Sequence, residues 1–202
     1  MSFFGENMSF GRRVWNSVKY PIAFVALLWV IQGVNYLLGQ SLNVFGIFPR
    51  EIHGLIGLVT SNFLHGNWQH LMGNTPILLL LASTICLYSP KQLLVTSVIG
   101  SLIGAVITWI FGSPAYHVGA SLLIFVLWGA ILGYAIFQRK PFFIILSLIL
   151  LPIYGVSFLN GLIPTPQVSF VGHLGGFIGG LIVSRYYSVL PKKAENKSII
   201  NY

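Results

Sequence analysis

Five side chains in this sequence could together do nucleophilic and acid–base chemistry: Ser121, His173, His65, His70 and Asn74. Ser121 follows Gly119 and Ala120 at the mouth of an apolar run. A serine there can be a nucleophile, or it can cap a helix, since serine is a favoured N-cap residue. His65, His70 and Asn74 stand at the start of an earlier apolar run, and His173 stands at the start of a later one. A histidine beside Ser121 would take its proton as general base, then protonate a leaving amine as general acid. The tetrahedral oxyanion needs donors aimed at it; the Asn74 amide, the His70 ring and the Ser121 backbone N–H are the candidates. Each residue alone has an ordinary explanation, such as an interfacial histidine or an asparagine bridging two membrane helices.

Other chemistries fit less well. His65 and His70 are five residues apart, not the four of an H-E-x-x-H zinc site, and no acidic residue lies between them. The acidic residues are Glu6, Glu51 and Glu195, none inside an apolar run. That composition excludes a zincin or an aspartyl intramembrane protease and argues against a Ser-His-Asp triad. The single cysteine, Cys86, allows neither an internal disulfide nor a cysteine metal site. Neither a metal nor a cofactor is expected.

The elements that must position these residues are membrane helices. The chain has 202 residues, 55% hydrophobic and only 7% charged, where a soluble domain carries about 25% charged residues. The net charge of +8 could suggest nucleic acid. The basic residues, however, sit in short loops between apolar runs, so a lipid bilayer is the expected partner and nucleic acid is not. Residues 21–39 are too long for a signal-peptide core, and no cleavage site follows, so no cleavable leader is expected.

Six segments are long enough to span: 21–39, 69–88, 92–111, 121–138, 141–159 and 171–190. Residues 1–20 read as a basic amphipathic lead-in and 191–202 as a polar tail. Lysine and arginine collect at both termini and in the 88–92 and 138–141 turns, whereas the loops at 40–68, 112–120 and 160–170 carry only Arg50. The positive-inside rule then puts both termini in the cytoplasm. All five histidines (His53, His65, His70, His117 and His173) fall at or near the outer side, and the candidate residues on the second, fourth and sixth spans sit at similar depth. Ionisable groups at that depth are costly and mark a site.

Two further features bear on geometry. Within the long outer loop, residues 54–64 are apolar but too short to span, and read as an interfacial or re-entrant element. The fourth span has Gly129 and Gly133, and the sixth has Gly172, Gly176 and Gly180, with Gly175 and Gly179 on the adjacent stripe. Small residues at this spacing let membrane helices approach backbone to backbone, which would bring Ser121 and His173 together.

The sequence resembles the rhomboid family of intramembrane serine proteases from about residue 21 to 190. The matching motifs are His65-Gly-Asn-Trp-Gln-His70-Leu-Met-Gly-Asn74 at the second span, Gly119-Ala120-Ser121 at the fourth, and Gly172-His173-Leu-Gly-Gly176-Phe-Ile-Gly-Gly180 in the sixth. The resemblance implies an all-α membrane protein: a six-helix bundle with a long, partly membrane-embedded first outer loop. It implies a Ser121–His173 dyad, with His70 and Asn74 at the oxyanion, His65 and Gly119 in support, and Phe125 as the aromatic beside the catalytic histidine. The implied reaction is hydrolysis of peptide bonds in or near the transmembrane segments of membrane-protein substrates, and the implied location is a bacterial inner (plasma) membrane. Leu122 stands where the family usually has glycine after the nucleophile, and Ile56 and Gly57 fall near the family's usual Trp-Arg pair. The competing readings are an inactive rhomboid-like protein that binds membrane clients and, more remotely, a small transporter. A transporter should show repeat symmetry, and the sequence has none.

Overall fold

The computed structural model describes residues 9–161 and 169–189, almost all of them helical. Six long helices follow in order: α1 (Phe10–Leu37), α2 (Trp68–Tyr88), α3 (Pro90–Phe111), α4 (Ser121–Gln138), α5 (Pro141–Gly161) and α6 (Phe170–Val189). Of these, α1 to α4 are each long and apolar enough to cross a membrane. The first eight residues, most of the expected outer loop at 160–170 and the C-terminal tail lie outside the described residues.

Helix α1 begins eleven residues before the expected span. Ser9 caps it by accepting the Arg12 N–H, and the helix runs on through Pro21, so half of the expected lead-in is one continuous helix with the apolar segment. Helix α3 contains a π-helical stretch at Thr96–Gly100, within which the Thr96 hydroxyl meets the buried Tyr134 hydroxyl of α4 at 2.7 Å. Between α1 and α2 the chain makes short helical turns, Ser41–Phe45 and then Ile52–Phe63. The expected short, non-spanning apolar element is therefore helical. A Cβ at Gly57 would collide with the backbone of Gly46 and Ile47, so the loop folds tightly onto itself there.

Helix α4 is the centre of the bundle. It is apolar on every side, and 67% of it is buried, against 28% for α1 and 39% for α2; such a helix belongs inside. Its main neighbour is α6, and the contact is made by glycines. A Cβ at Gly180 would strike the Val126 carbonyl, one at Gly176 the Leu122 carbonyl, and one at Gly129 the Phe177 backbone. The adjacent stripe serves another helix: Gly175 and Gly179 lie against the backbone of α3 at Gly104 and Gly100. Gly172 faces Ser169 and Thr108 rather than α4. Helix α6 is thus held between α3 and α4 by two separate glycine faces.

Candidate active site

Ser121 is the first residue of α4, and Ala120 occupies the cap position. The serine is therefore not spent as the cap. Geometry leaves the first amides of a helix without intrahelical acceptors, and here two of them are met from elsewhere. The Ala120 N–H donates to His65 Nε2 at 3.2 Å, and the Leu123 N–H donates to Asn62 Oδ1 at 3.2 Å. Between these two lie the amides of Ser121 and Leu122, which no turn of α4 can satisfy.

His65 is fully buried, and its Nε2 also lies 3.2 Å from Asn74 Nδ2. Because Nε2 accepts from Ala120, the ring proton must sit on Nδ1, which is buried without a partner. The same constraint orients the Asn74 amide: its nitrogen faces His65, with one N–H used and one remaining. Burial, and then the neighbouring His70 charge, hold the His65 pKa down to about 3, so the ring stays neutral. The His70 ring stands edge-on to His65, with centroids 5.3 Å apart. It also lies against Gly119, where a Cβ would come within 2.9 Å of His70 Nε2. Gly119 has φ +132° as well, a conformation that only glycine adopts readily. The segment 65–74 thus bears directly on the turn that leads into Ser121.

His173 is buried on α6 and stacks on Phe125, with ring centroids 4.2 Å apart and planes 7° from parallel. Ser121 and His173 line one cavity of about 20 Å³, together with Gly119, Leu122, Ser61 and His117. That is room for about one water molecule. Among the described residues, no three His, Cys, Asp or Glu side chains converge as a metal site.

The histidines divide four to one. His65, His70, His117 and His173 gather around the turn before Ser121, whereas His53 packs with Phe48 and Tyr116 in the outer loop. Four participants escape the motif reading: Ser61, Asn62, His117 and Ser169. The Ser61 carbonyl accepts the Gly119 N–H, and its buried hydroxyl lacks a partner beside the cavity. Ser169 caps α6, its Oγ accepting the Gly172 N–H at 3.2 Å. Its own proton then goes to His117 Nδ1, 2.6 Å away, and His117 Nε2–H donates to the Ser113 carbonyl at 3.0 Å. Burial lowers the His117 pKa, in keeping with this neutral ring. His117 also exchanges backbone hydrogen bonds with Ile47. This one residue ties the outer loop, the turn before α4 and the cap of α6 together. The polar Ser61-Asn62 pair inside an apolar stretch, and a histidine four residues before Ser121, were the available signals.

Comparison with known proteins gives the family. The model of the Rhomboid domain matches residues 53–189, more than half of the chain. The chain belongs to the rhomboid family. Relatives of this rhomboid occur in mycobacteria. An uncharacterized protein of Mycobacterium tuberculosis is 34% identical over 183 residues, covering 86% of this chain and 76% of the relative. An uncharacterized protein of Mycobacterium leprae is 31% identical over 184 residues, covering 86% of this chain and 72% of the relative. Family membership together with the long apolar helices makes the chain an integral membrane protein with an all-helical bundle.

Proposed function

We propose that this rhomboid is an intramembrane serine endopeptidase that cleaves peptide bonds in or near the transmembrane segments of membrane proteins. The observation that carries the reading is the shared cavity of Ser121 and His173, reached from two helices held together by glycine. In this reading His173 removes the Ser121 proton as Oγ attacks the scissile carbonyl. The oxyanion is stabilised by the free Asn74 N–H, by His70 and by the Ser121 amide. His173 then protonates the leaving amine, and water hydrolyses the acyl-enzyme with His173 again as base. The ring needs an orienting partner, and the only acidic side chain among the described residues is the exposed Glu51. Stacking on Phe125 contributes to the ring's orientation. The bundle crosses the membrane six times, with both termini in the cytoplasm of a bacterial inner membrane.

Covalent labelling tests this directly. A fluorophosphonate should label Ser121 in detergent, and His173→Ala should suppress the labelling. Ser121→Ala and His173→Ala should each abolish cleavage of a transmembrane substrate, with the double variant no worse than either alone, as expected of groups that act as one unit. Leu122 favours a second reading, a client-binding protein without activity. Its buried side chain lines the cavity at the nucleophile. Folded protein that neither labels nor cleaves, and recovers both in Leu122→Gly, would establish that reading in place of the first.

A further inference from the structure

A second cavity, far larger than the first, lies on the other side of α4. It measures about 650 Å³ and is almost wholly apolar. Helices α1 and α3 form its two sides, α2 and α4 its floor, and the outer-loop residues Leu58, Val59 and Phe63 its outer end. It opens sideways, past exposed Leu94 and Val98. Along α3 it extends from Pro90 to Leu102, twelve residues or about 18 Å of helix. That is close to one leaflet, about half of a hydrocarbon core of roughly 30 Å.

The other end of the groove is basic. On α1 the lining residues Pro21 and Phe24 continue backward along one helix face through Ser17 to Arg13. The Arg13 guanidinium reaches across to α2 and donates to the Tyr88 carbonyl at 2.5 Å. Tyr88 lies between Cys86 and Pro90, both of which line the groove. On α3 the lining residues Leu94 and Val98 continue to the exposed Lys91. Two cations therefore stand at the same mouth. Glu51, the one acidic side chain among the described residues, is in the outer loop, where its carbonyl accepts from Trp109 near the far end of α3.

We propose that this groove is a phospholipid site: one acyl chain fills it, and an anionic head group at the basic end is held by Arg13 and Lys91. Arg13 keeps four of its five donors after serving Tyr88, enough to grip a phosphate. Basic pockets between membrane helices on the cytoplasmic side bind anionic head groups in this way. An apolar groove about one leaflet long matches a single acyl chain, and its basic mouth matches an anionic head group. The chain tip ends beneath Phe63 and Asn62, and Asn62 carries the hydrogen bond to the Leu123 amide two residues past Ser121. Occupancy thus supports the outer-loop element that orders the start of α4.

The test is native mass spectrometry of the full chain released in mild detergent, titrated with phosphatidylglycerol or phosphatidylcholine of identical acyl chains. Phosphatidylglycerol should be retained at least fivefold better. Lys91→Ala should weaken it by about fivefold, and Leu94→Trp, which fills the groove, should weaken both lipids. Lys91 and Leu94 are exposed, so these variants leave the fold intact; thermal unfolding checks that they do. Equal retention of the two lipids, or undiminished binding by folded Lys91→Ala and Leu94→Trp, would overturn the proposal. A photoreactive residue at Val98 should form a phospholipid adduct in membranes. A cross-link to a second copy of the chain or to a substrate peptide in its place would also overturn it. No step measures proteolysis, so an inactive protein and an empty groove give different results.

Discussion

His65 accepts from two donors, the Ala120 amide and the Asn74 side chain, and so fixes both the turn before Ser121 and the Asn74 amide. Asn74→Ala should lower kcat by roughly 10²–10³, with a smaller effect on KM, because the lost contact forms in the transition state; a change in KM alone would restrict Asn74 to packing. The pH response of stability should follow His65. Its folded pKa is about 3, against roughly 6.5 in the unfolded chain. Between those values the unfolded state takes up a proton that the folded state does not. Stability is therefore full above about pH 6.5 and falls as the pH drops toward 3. Thermal unfolding in detergent should trace that fall, and His65→Gln should flatten it; an unaltered slope would move the effect to another group, such as His117. The residues that declared themselves in the sequence, Ser121, His173, His70 and Asn74, did so because a polar group in an apolar run is conspicuous. Ser61 and Asn62 stayed hidden because their importance lies in which backbone they meet, and that depends on the tertiary fold; His117 was visible only as one of five outer-side histidines.

At the scale of elements, the approach of α6 to α4 and α3 decides whether Ser121 and His173 share a cavity. Gly180→Ala places a methyl group against the Val126 carbonyl. It should destabilise the bundle by about 1–3 kcal/mol, the usual cost of overpacking, and reduce fluorophosphonate labelling of Ser121. Ser169→Ala removes the cap of α6 and the partner of His117 together. Loss of such a cap costs about 1 kcal/mol, which a shift in the unfolding midpoint should report. The glycine spacing made the α4–α6 contact readable beforehand. The second face toward α3 was visible only as an adjacent stripe, because nothing in the spacing names its partner. Helix α1 was read from Pro21 because hydropathy rises there, although the Ser9 cap marks the true start. The π-helical stretch of α3 had no sequence signal; it ends at Gly100, which packs against Val126 and Gly179.

For the molecule as a whole, orientation is the first quantity to measure. Among the described residues, the basic side chains other than Arg50 stand toward one end of the bundle, so a reporter joined after Tyr202 should read out on the cytoplasmic side; an external signal would place the Ser121 cavity at the wrong surface. The close approach of α6 to its neighbours has an origin of its own. Where glycine meets backbone, as on both faces of α6, no rotamer is frozen, because glycine has no side chain to order. Dispersion is gained across the whole contact at no side-chain entropic cost. Contacts of this kind carry no charge and titrate with nothing. The spacing of α4 and α6, which carry Ser121 and His173, is therefore set largely by shape, beside the one Phe125–His173 stack, and it should hold in salt.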